Sequence, residues 1–138
     1  MLNASTVAAQ PKVRTVIPRD CSTREAERAD RHLDSVRRWS DVYYAFARFE
    51  PCDDGMLAVA WSDAIVRILA VDWQTLPTLV RLGRRDPRFE AFVLRHIDAR
   101  MFPERAEQIA LLARMNCPPA GRALCPRLAA AAGNPNPR

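Results

Sequence analysis

Glycine and histidine are scarce in this chain, and each shortage argues against a class of structure or chemistry. Four glycines and only short β-branched runs in 138 residues argue against an all-β fold. Two histidines, His32 and His96, leave little material for acid–base catalysis or a metal centre. The sequence contains no nucleotide-binding loop, hydrolase elbow, haem-attachment signature or helix-turn-helix consensus.

The overall composition is that of a soluble globular protein with one domain. Hydrophobic residues make up 49% of the chain and charged residues 27%. The most apolar stretch, around residues 57–70, carries charges at Asp63 and Arg67, and Asp72 follows it. These charges exclude a membrane span there.

Basic residues are almost entirely arginines, 20 of them against the single Lys12, and the net charge is +5. A nucleic-acid-binding protein can have this composition, because arginine neutralises phosphates and reads guanine. The arginines are nevertheless dispersed and interleaved with acidic residues, whereas a nucleic-acid footprint is concentrated. The local cluster on which this alternative depends consists of Arg81, Arg84, Arg85 and Arg88.

Apolar residues recur at helical spacing through most of the chain. Ser22 and Glu25 fit a capping box, and the pattern that follows predicts one long helix over about 22–49, ended by Pro51. A second helix is expected after Asp54, because acidic residues stabilise a helix N-terminus.

Proline-opened segments follow these two long helices and predict four shorter ones. The sequence signals are Thr75 as a cap, Gly83 as a stop, the Asp86–Pro87 pair, Pro103 with Asn116 as the end, and Pro119. We therefore expect an all-α fold, a single compact bundle of about five to six helices over residues 21–132. Residues 1–20 are expected to be a flexible N-terminal arm, and residues 133–138 a disordered tail.

Four cysteines in a small chain indicate an oxidising compartment. Cys117 and Cys125 are the disulfide candidate, because the prolines between them can bend the chain back. Cys21 and Cys52 flank the predicted first helix. If that helix were unbroken it would be about 40 Å long and would keep them apart, whereas a break near Ser35 or Ser40 would allow the bond.

A periplasmic or secreted location is therefore expected, although no apolar signal segment occurs at the N-terminus. The recorded start could lie downstream of the true one. The alternative is a cytoplasmic protein with four reduced thiols.

The sequence gives little support for a catalytic or metal-binding site. The cysteine spacing does not match a zinc site, and the Asp53–Asp54–Gly55 run lacks the remaining ligands of a calcium loop. Cys52 has no histidine beside it to act as a base. His96 and Asp98 point about 200° apart on a helix, so they do not form a pair. We expect no catalytic residue, no metal ion and no cofactor.

The remaining functional signal is a set of aromatic residues and arginines typical of protein interfaces: Trp39, Tyr43, Tyr44, Arg37 and Arg38. The small, helical, cysteine-bearing chain resembles exported bacterial proteins and some immunity proteins that block a toxin. This resemblance is one of general architecture. The sequence favours a non-enzymatic protein that binds another protein, such as an exported inhibitor or immunity-type protein of a bacterial envelope. The alternative is a cytosolic nucleic-acid-associated protein.

Overall fold

The computed structural model describes residues 20–133, which contain seven α-helices and no β-strand. The all-α prediction is confirmed, with slightly more helices than expected. None of the described helices is both long and apolar enough to cross a membrane. Residues 1–19 of the predicted arm and 134–138 of the predicted tail lie outside the described residues. The helices are α1 Thr23–Leu33, α2 Trp39–Phe49, α3 Gly55–Val71, α4 Leu76–Arg85, α5 Pro87–Arg95, α6 Pro103–Met115 and α7 Cys125–Ala132.

The single long helix predicted over 22–49 is wrong, because the chain breaks between α1 and α2. The serine half of the predicted capping box is confirmed, since the Ser22 hydroxyl accepts the Glu25 amide at 3.1 Å, whereas the Glu25 carboxylate pairs with Arg28. At the break, the Asp41 carboxylate accepts the backbone amides of Arg37 (2.9 Å) and Arg38 (3.0 Å). Val36 is buried in the core inside the same turn. Burial of that side chain and capping by Asp41 replace the helical hydrogen bonds that the break removes.

Helix α3 is the most buried element, as its apolar sequence predicted. The Asp54 carboxylate accepts the Gly55 amide at 2.8 Å, and the backbone of Gly55 has a positive φ of 54°. Trp61, Ile65 and Leu69 are fully buried along the helix. The helix contacts α1, α2 and α6, so its apolar side chains are covered on several sides.

An aromatic cluster joins α2, α3 and α5. The Phe46 and Phe92 rings lie 4.8 Å apart, and Trp61 meets Phe92 edge-on at 5.4 Å. Phe89 packs 5.4 Å from Phe46 on the other side. All four side chains are buried, and offset or edge-on contacts at these distances stabilise a core beyond the area they bury.

Two of the shorter helices differ from their predicted bounds. Gly83 does not end α4, which continues to Arg85; a Cβ at Gly83 would lie 3.2 Å from the Glu90 Cβ, so this glycine permits close approach of α5. The last helix does not start at Pro119, where the chain forms only a short 3₁₀ turn, and begins instead at Cys125.

Two disulfides hold the described chain together. Cys117 and Cys125 form the predicted bond, with Cα atoms 6.2 Å apart. Cys21 and Cys52 form a second bond, with Cα atoms 4.9 Å apart. The unbroken helix that would have kept them about 40 Å apart does not form. The alternative, a break near Ser35 that allows the bond, is the one the structure has, and it brings the two cysteines together.

Candidate functional site

A concave surface lies between α6 and α7, beside the Cys117–Cys125 disulfide. Its volume is about 560 Å³, within the range of ligand and partner pockets. The Trp73 indole holds the end of α6 by donating to the Asn116 carbonyl at 2.9 Å. Apolar atoms dominate the walls, and the only charged residues in them are two arginines. We call this surface the α6–α7 groove; it is lined by Ala113, Arg114, Cys117, Pro118, Pro119, Arg122, Cys125, Pro126 and Ala129.

Two exposed apolar side chains lie on another face of α6. Leu111 is 52% exposed and Met115 is 75% exposed. They share a face because they are four residues apart, but neither lines the groove; Ala113, which does, is two residues from each and points about 200° away around the helix. Arg114 and Arg122 form no ion pair with any residue between 20 and 133. The groove is therefore an apolar concave surface with unpaired positive charge, separate from the face that carries Leu111 and Met115.

A smaller cavity, of about 170 Å³, lies where the α1–α2 break meets the end of α3 and the start of α4. Trp39 and Ile68 are buried and form its inner part, while Arg37 and Arg38 are exposed at its mouth. Apolar atoms make up most of the accessible wall surface, and the other lining residues contribute polar side chains. We call this space the polar cavity after these side chains; its remaining lining residues are Ser40, Asp72, Thr75 and Thr78.

A buried serine, histidine and aspartate form a hydrogen-bonded chain in the core. His96 Nε2 lies 2.9 Å from Asp53 Oδ2, and Nδ1 lies 2.7 Å from Ser62 Oγ. Because a carboxylate only accepts, Nε2 carries a proton and Nδ1 faces the serine hydroxyl. Arg95 adds a cation 3.8 Å from the same Asp53 oxygen. Three elements are joined here: α3, the end of α5 and the turn before α3.

This trio resembles a catalytic triad in composition but lacks two features that acyl transfer requires. Ser62 lies inside α3, where neighbouring backbone amides are used in the helix and cannot form an oxyanion hole. Ser62 and His96 are both buried, and no member of the trio lines the groove or the polar cavity. The arrangement is suited to fixing α3 against α5.

The sequence analysis considered a pair of His96 and Asp98 and excluded it. It did not identify Ser62 and Asp53 as the partners of His96. Asp53 is 43 residues away in sequence, so no local spacing could indicate the contact. The only available signal was a histidine on an otherwise apolar helix face, which needs a polar partner when buried. Cys52, the other catalytic alternative, is bonded to Cys21 and has no thiol. Among the described residues no group of metal-ligating side chains is arranged to hold an ion.

The interface residues predicted from sequence do not form one surface. Trp39, one of these interface candidates, is only 2% exposed, because it begins α2 with its indole turned into the core, so it presents almost no surface to a partner. Arg37 and Arg38 remain exposed beside it, at the polar cavity.

The two tyrosines diverge, as neighbours on a helix must. Tyr44 is 52% exposed and packs its ring 4.9 Å from His32. Tyr43 is half-buried and donates to Asp86 Oδ2 at 3.0 Å, and this hydrogen bond to a carboxylate raises the pKa of the Tyr43 phenol. Tyr44 is therefore the aromatic member of the predicted set that presents the most surface to a partner.

The arginine cluster on α4 is only partly a free basic surface. Arg81, Arg84 and Arg85 are exposed, share a helix face and form no ion pair within residues 20–133. Arg88 turns away from them, pairs with Glu50, and lies 5.5 Å above the Phe46 ring. The structure thus keeps three of the four predicted arginines together.

Comparison of the chain with protein-family models, with curated proteins and with solved structures finds no match. The functional argument therefore rests on the surfaces and sites described above.

Proposed function

We propose that this chain is a non-enzymatic protein that binds another protein, as an exported inhibitor or immunity-type partner in a bacterial envelope, through the α6–α7 groove. The observation that carries the proposal is the groove itself, an apolar concave surface of about 560 Å³ with two unpaired arginines in its walls. Exposed apolar patches with a polar rim mark interaction sites on globular domains.

The groove is rigid before any partner arrives. Cys117–Cys125 joins the end of α6 to the start of α7, and Pro118 and Pro119 stiffen the connection. A surface that is already ordered loses little conformational entropy on binding, so more of the contact energy appears as affinity. The disulfide supports an export role as well, because such bonds persist in oxidising compartments.

The charged residues of the groove indicate which kind of partner surface would fit it. Arg114 and Arg122 are the only charged residues in the groove lining, and no acidic residue lies beside them there. Arginine at the edge of an apolar centre favours a partner that presents an apolar side chain flanked by Asp or Glu. We therefore expect the partner surface to be acidic around an apolar contact.

Affinity capture with matched variants tests this proposal. The wild-type chain, Pro126→Asp and Met56→Asp are each used as bait on the envelope fraction of the native cells, and bound proteins are quantified by mass spectrometry. Pro126 is exposed and lines the groove. Met56 is the control, because it is 81% exposed on α3 and does not line the groove. We expect one protein to be retained by the wild type and Met56→Asp and to fall at least about tenfold with Pro126→Asp. If every retained protein binds all three baits equally, the groove is not the contact surface.

A separate experiment tests the proposed export of the protein to an oxidising compartment. Native protein is alkylated in the intact cell before lysis, and its mass is measured. We expect no alkylation and the mass of a chain with two disulfides; four alkylated cysteines would place the protein in a reducing compartment and contradict export.

A second candidate function is nucleic-acid binding through Arg81, Arg84 and Arg85. It is supported by their shared exposed face on α4. This function requires retention on a DNA or RNA column that falls steeply with salt and weakens in the Arg84→Ala variant. Absent or salt-independent retention would remove it.

A further inference from the structure

The polar cavity contains opposite charges that do not neutralise each other. Arg37 and Arg38 stand at its mouth and Asp72 in its wall, yet no guanidinium–carboxylate pair within 4.0 Å joins them. The Asp72 carboxylate forms no hydrogen bond within residues 20–133; only its backbone amide and carbonyl are used, in bonds to Ile68 and Thr75. The cavity therefore keeps a negative group and two positive groups apart.

The positive side of the cavity is held in place by the α1–α2 break. The Arg37 guanidinium donates to the Val36 carbonyl at 2.9 Å and the Asp34 carbonyl at 3.3 Å. These bonds use one nitrogen of a group with five N–H donors, so others remain for a ligand. Arg38 makes no side-chain ion pair with the described residues.

Hydroxyl groups complete the lining. Thr75 Oγ1 donates to the Asp72 carbonyl at 2.7 Å, which leaves its oxygen lone pairs free to accept. The hydroxyls of Ser40 and Thr78 make no hydrogen bond to any residue between 20 and 133. All three can hydrogen-bond a polar ligand.

We propose that the polar cavity binds a small zwitterion of the α-amino-acid class. The ligand carboxylate meets the guanidinium groups of Arg37 and Arg38, and its ammonium group meets the Asp72 carboxylate. A simple anion can pair only with the arginines and a simple cation only with Asp72, whereas a zwitterion pairs with both sides. The volume of about 170 Å³ suits a ligand of this size, since it equals the space of roughly five to six water molecules.

Three small molecules test whether the cavity binds a zwitterion, a simple anion or a simple cation. Glycine carries both charged groups, acetate carries only the carboxylate, and methylammonium carries only the ammonium group. Each is titrated into ¹⁵N-labelled full-length protein, and amide shifts are followed by NMR, with L-serine as a second zwitterion. We expect saturable shifts at Ser40, Asp72 and Thr78 with glycine or L-serine, and at least about tenfold weaker binding of acetate and methylammonium. Acetate binding as tightly as glycine, or no saturation by either amino acid at tens of millimolar, would overturn the proposal.

Two variants with matched controls test the assigned roles. Asp72→Asn keeps the side-chain shape and should weaken glycine binding at least about tenfold while strengthening acetate binding; Arg38→Ala should weaken both. Asp63→Asn and Arg24→Ala change charge outside the cavity and should bind glycine as the wild type does. Unchanged glycine binding by Asp72→Asn contradicts the assignment, and thermal melting shows that each variant is folded.

This site is separate from the α6–α7 groove, and the two share no lining residue. Failure of the glycine titration therefore leaves the protein-binding proposal standing, and failure of the capture experiment leaves the zwitterion site standing.

Discussion

The two disulfides of this protein differ in what they hold. Cys21–Cys52 joins residues 31 apart in sequence and closes the α1–α2 hairpin, with Cys52 buried in the core. Cys117–Cys125 joins residues only eight apart and lies in the wall of a surface groove. The first bond fixes the arrangement of helices, whereas the second fixes the shape of a surface that the helices have already positioned.

Loop length turns this difference into an expected difference in stability. In the chain-entropy model, a bond that closes a longer loop removes more freedom from the unfolded chain. The 31-residue closure contributes about 4 kcal/mol and the eight-residue closure about 2.5 kcal/mol. The comparison teaches that a short-range disulfide in a small protein can serve its surface as much as its stability.

Removing the long-range bond has the largest expected effect. The double variant Cys21→Ala/Cys52→Ala should lower the free energy of unfolding by about 4 kcal/mol, because the unfolded hairpin gains freedom and the buried Cys52 site loses packing. Urea unfolding followed by circular dichroism measures the change. A loss smaller than that caused by removing the short-range bond would contradict the comparison.

Removing the short-range bond should cost less but should change the groove. Cys117→Ala/Cys125→Ala is expected to lower the free energy of unfolding by about 2.5 kcal/mol. Retention of the protein partner captured by the wild type should fall as well, because the groove loses its preorganised wall. Unchanged capture would show that the disulfide does not shape the contact surface.

The buried trio beside Cys52 adds to the stability of the first region. Ser62→Ala leaves the buried His96 Nδ1 without its partner and should lower the free energy of unfolding by about 2 kcal/mol. Ser40→Ala is the control, because this serine is exposed. The Ser40→Ala variant should unfold at the same urea concentration as the wild type. Equal unfolding midpoints for the two variants would mean that the hydrogen-bonded chain does not stabilise the core.

The smallest effect is a pH dependence at the α1–α2 break. Partial burial of Asp41 raises its pKa, but hydrogen bonds from the Arg37 and Arg38 amides, with the nearby charges of Arg38 and His32, outweigh it and hold the pKa below its usual value of 3.8. The stabilisation is therefore present above the unfolded-state pKa and is lost as pH falls through the lower folded-state value.

The variant Asp41→Asn should cost about 1 kcal/mol at neutral pH, as the loss of a capping side chain does. The difference from wild type should shrink below about pH 4, where the wild-type carboxylate also becomes neutral. Asp63→Asn is the control, because Asp63 is exposed and lies 4.0 Å from its partner Arg67. A difference between Asp41→Asn and wild type that stays constant down to pH 2 would contradict the assignment.

Local signals predicted the ends of several helices but not the turn between α1 and α2. The serine cap of α1, the Asp54 cap of α3, the Asp86–Pro87 start of α5 and the Asn116 end of α6 are all in the structure. No proline or glycine marks the turn at 34–38. The signals there were Ser35 and Ser40, which are also compatible with an uninterrupted helix. Burial of Val36 and the cross-link of Cys21 decide between the two, and both depend on distant parts of the chain.

The candidate sites show the same division. The Cys117–Cys125 pair could be predicted, because the two cysteines are close in sequence and prolines bend the chain between them. The contact of His96 with Asp53 could not, since 43 residues separate the two. Nor could the burial of Trp39 or the meeting of Arg38 with Asp72 at one cavity, which follow from the turn before α2.

The amino-acid sequence by itself determined the helical class, several helix ends and the short disulfide, because hydrogen bonds, caps and bends act between residues a few positions apart. Only the tertiary structure decided the turn between α1 and α2, the Cys21–Cys52 bond, the buried trio and the two cavities. Each of these depends on which helices pack together, and packing is set by the burial of apolar surface across the whole chain, which no local pattern encodes.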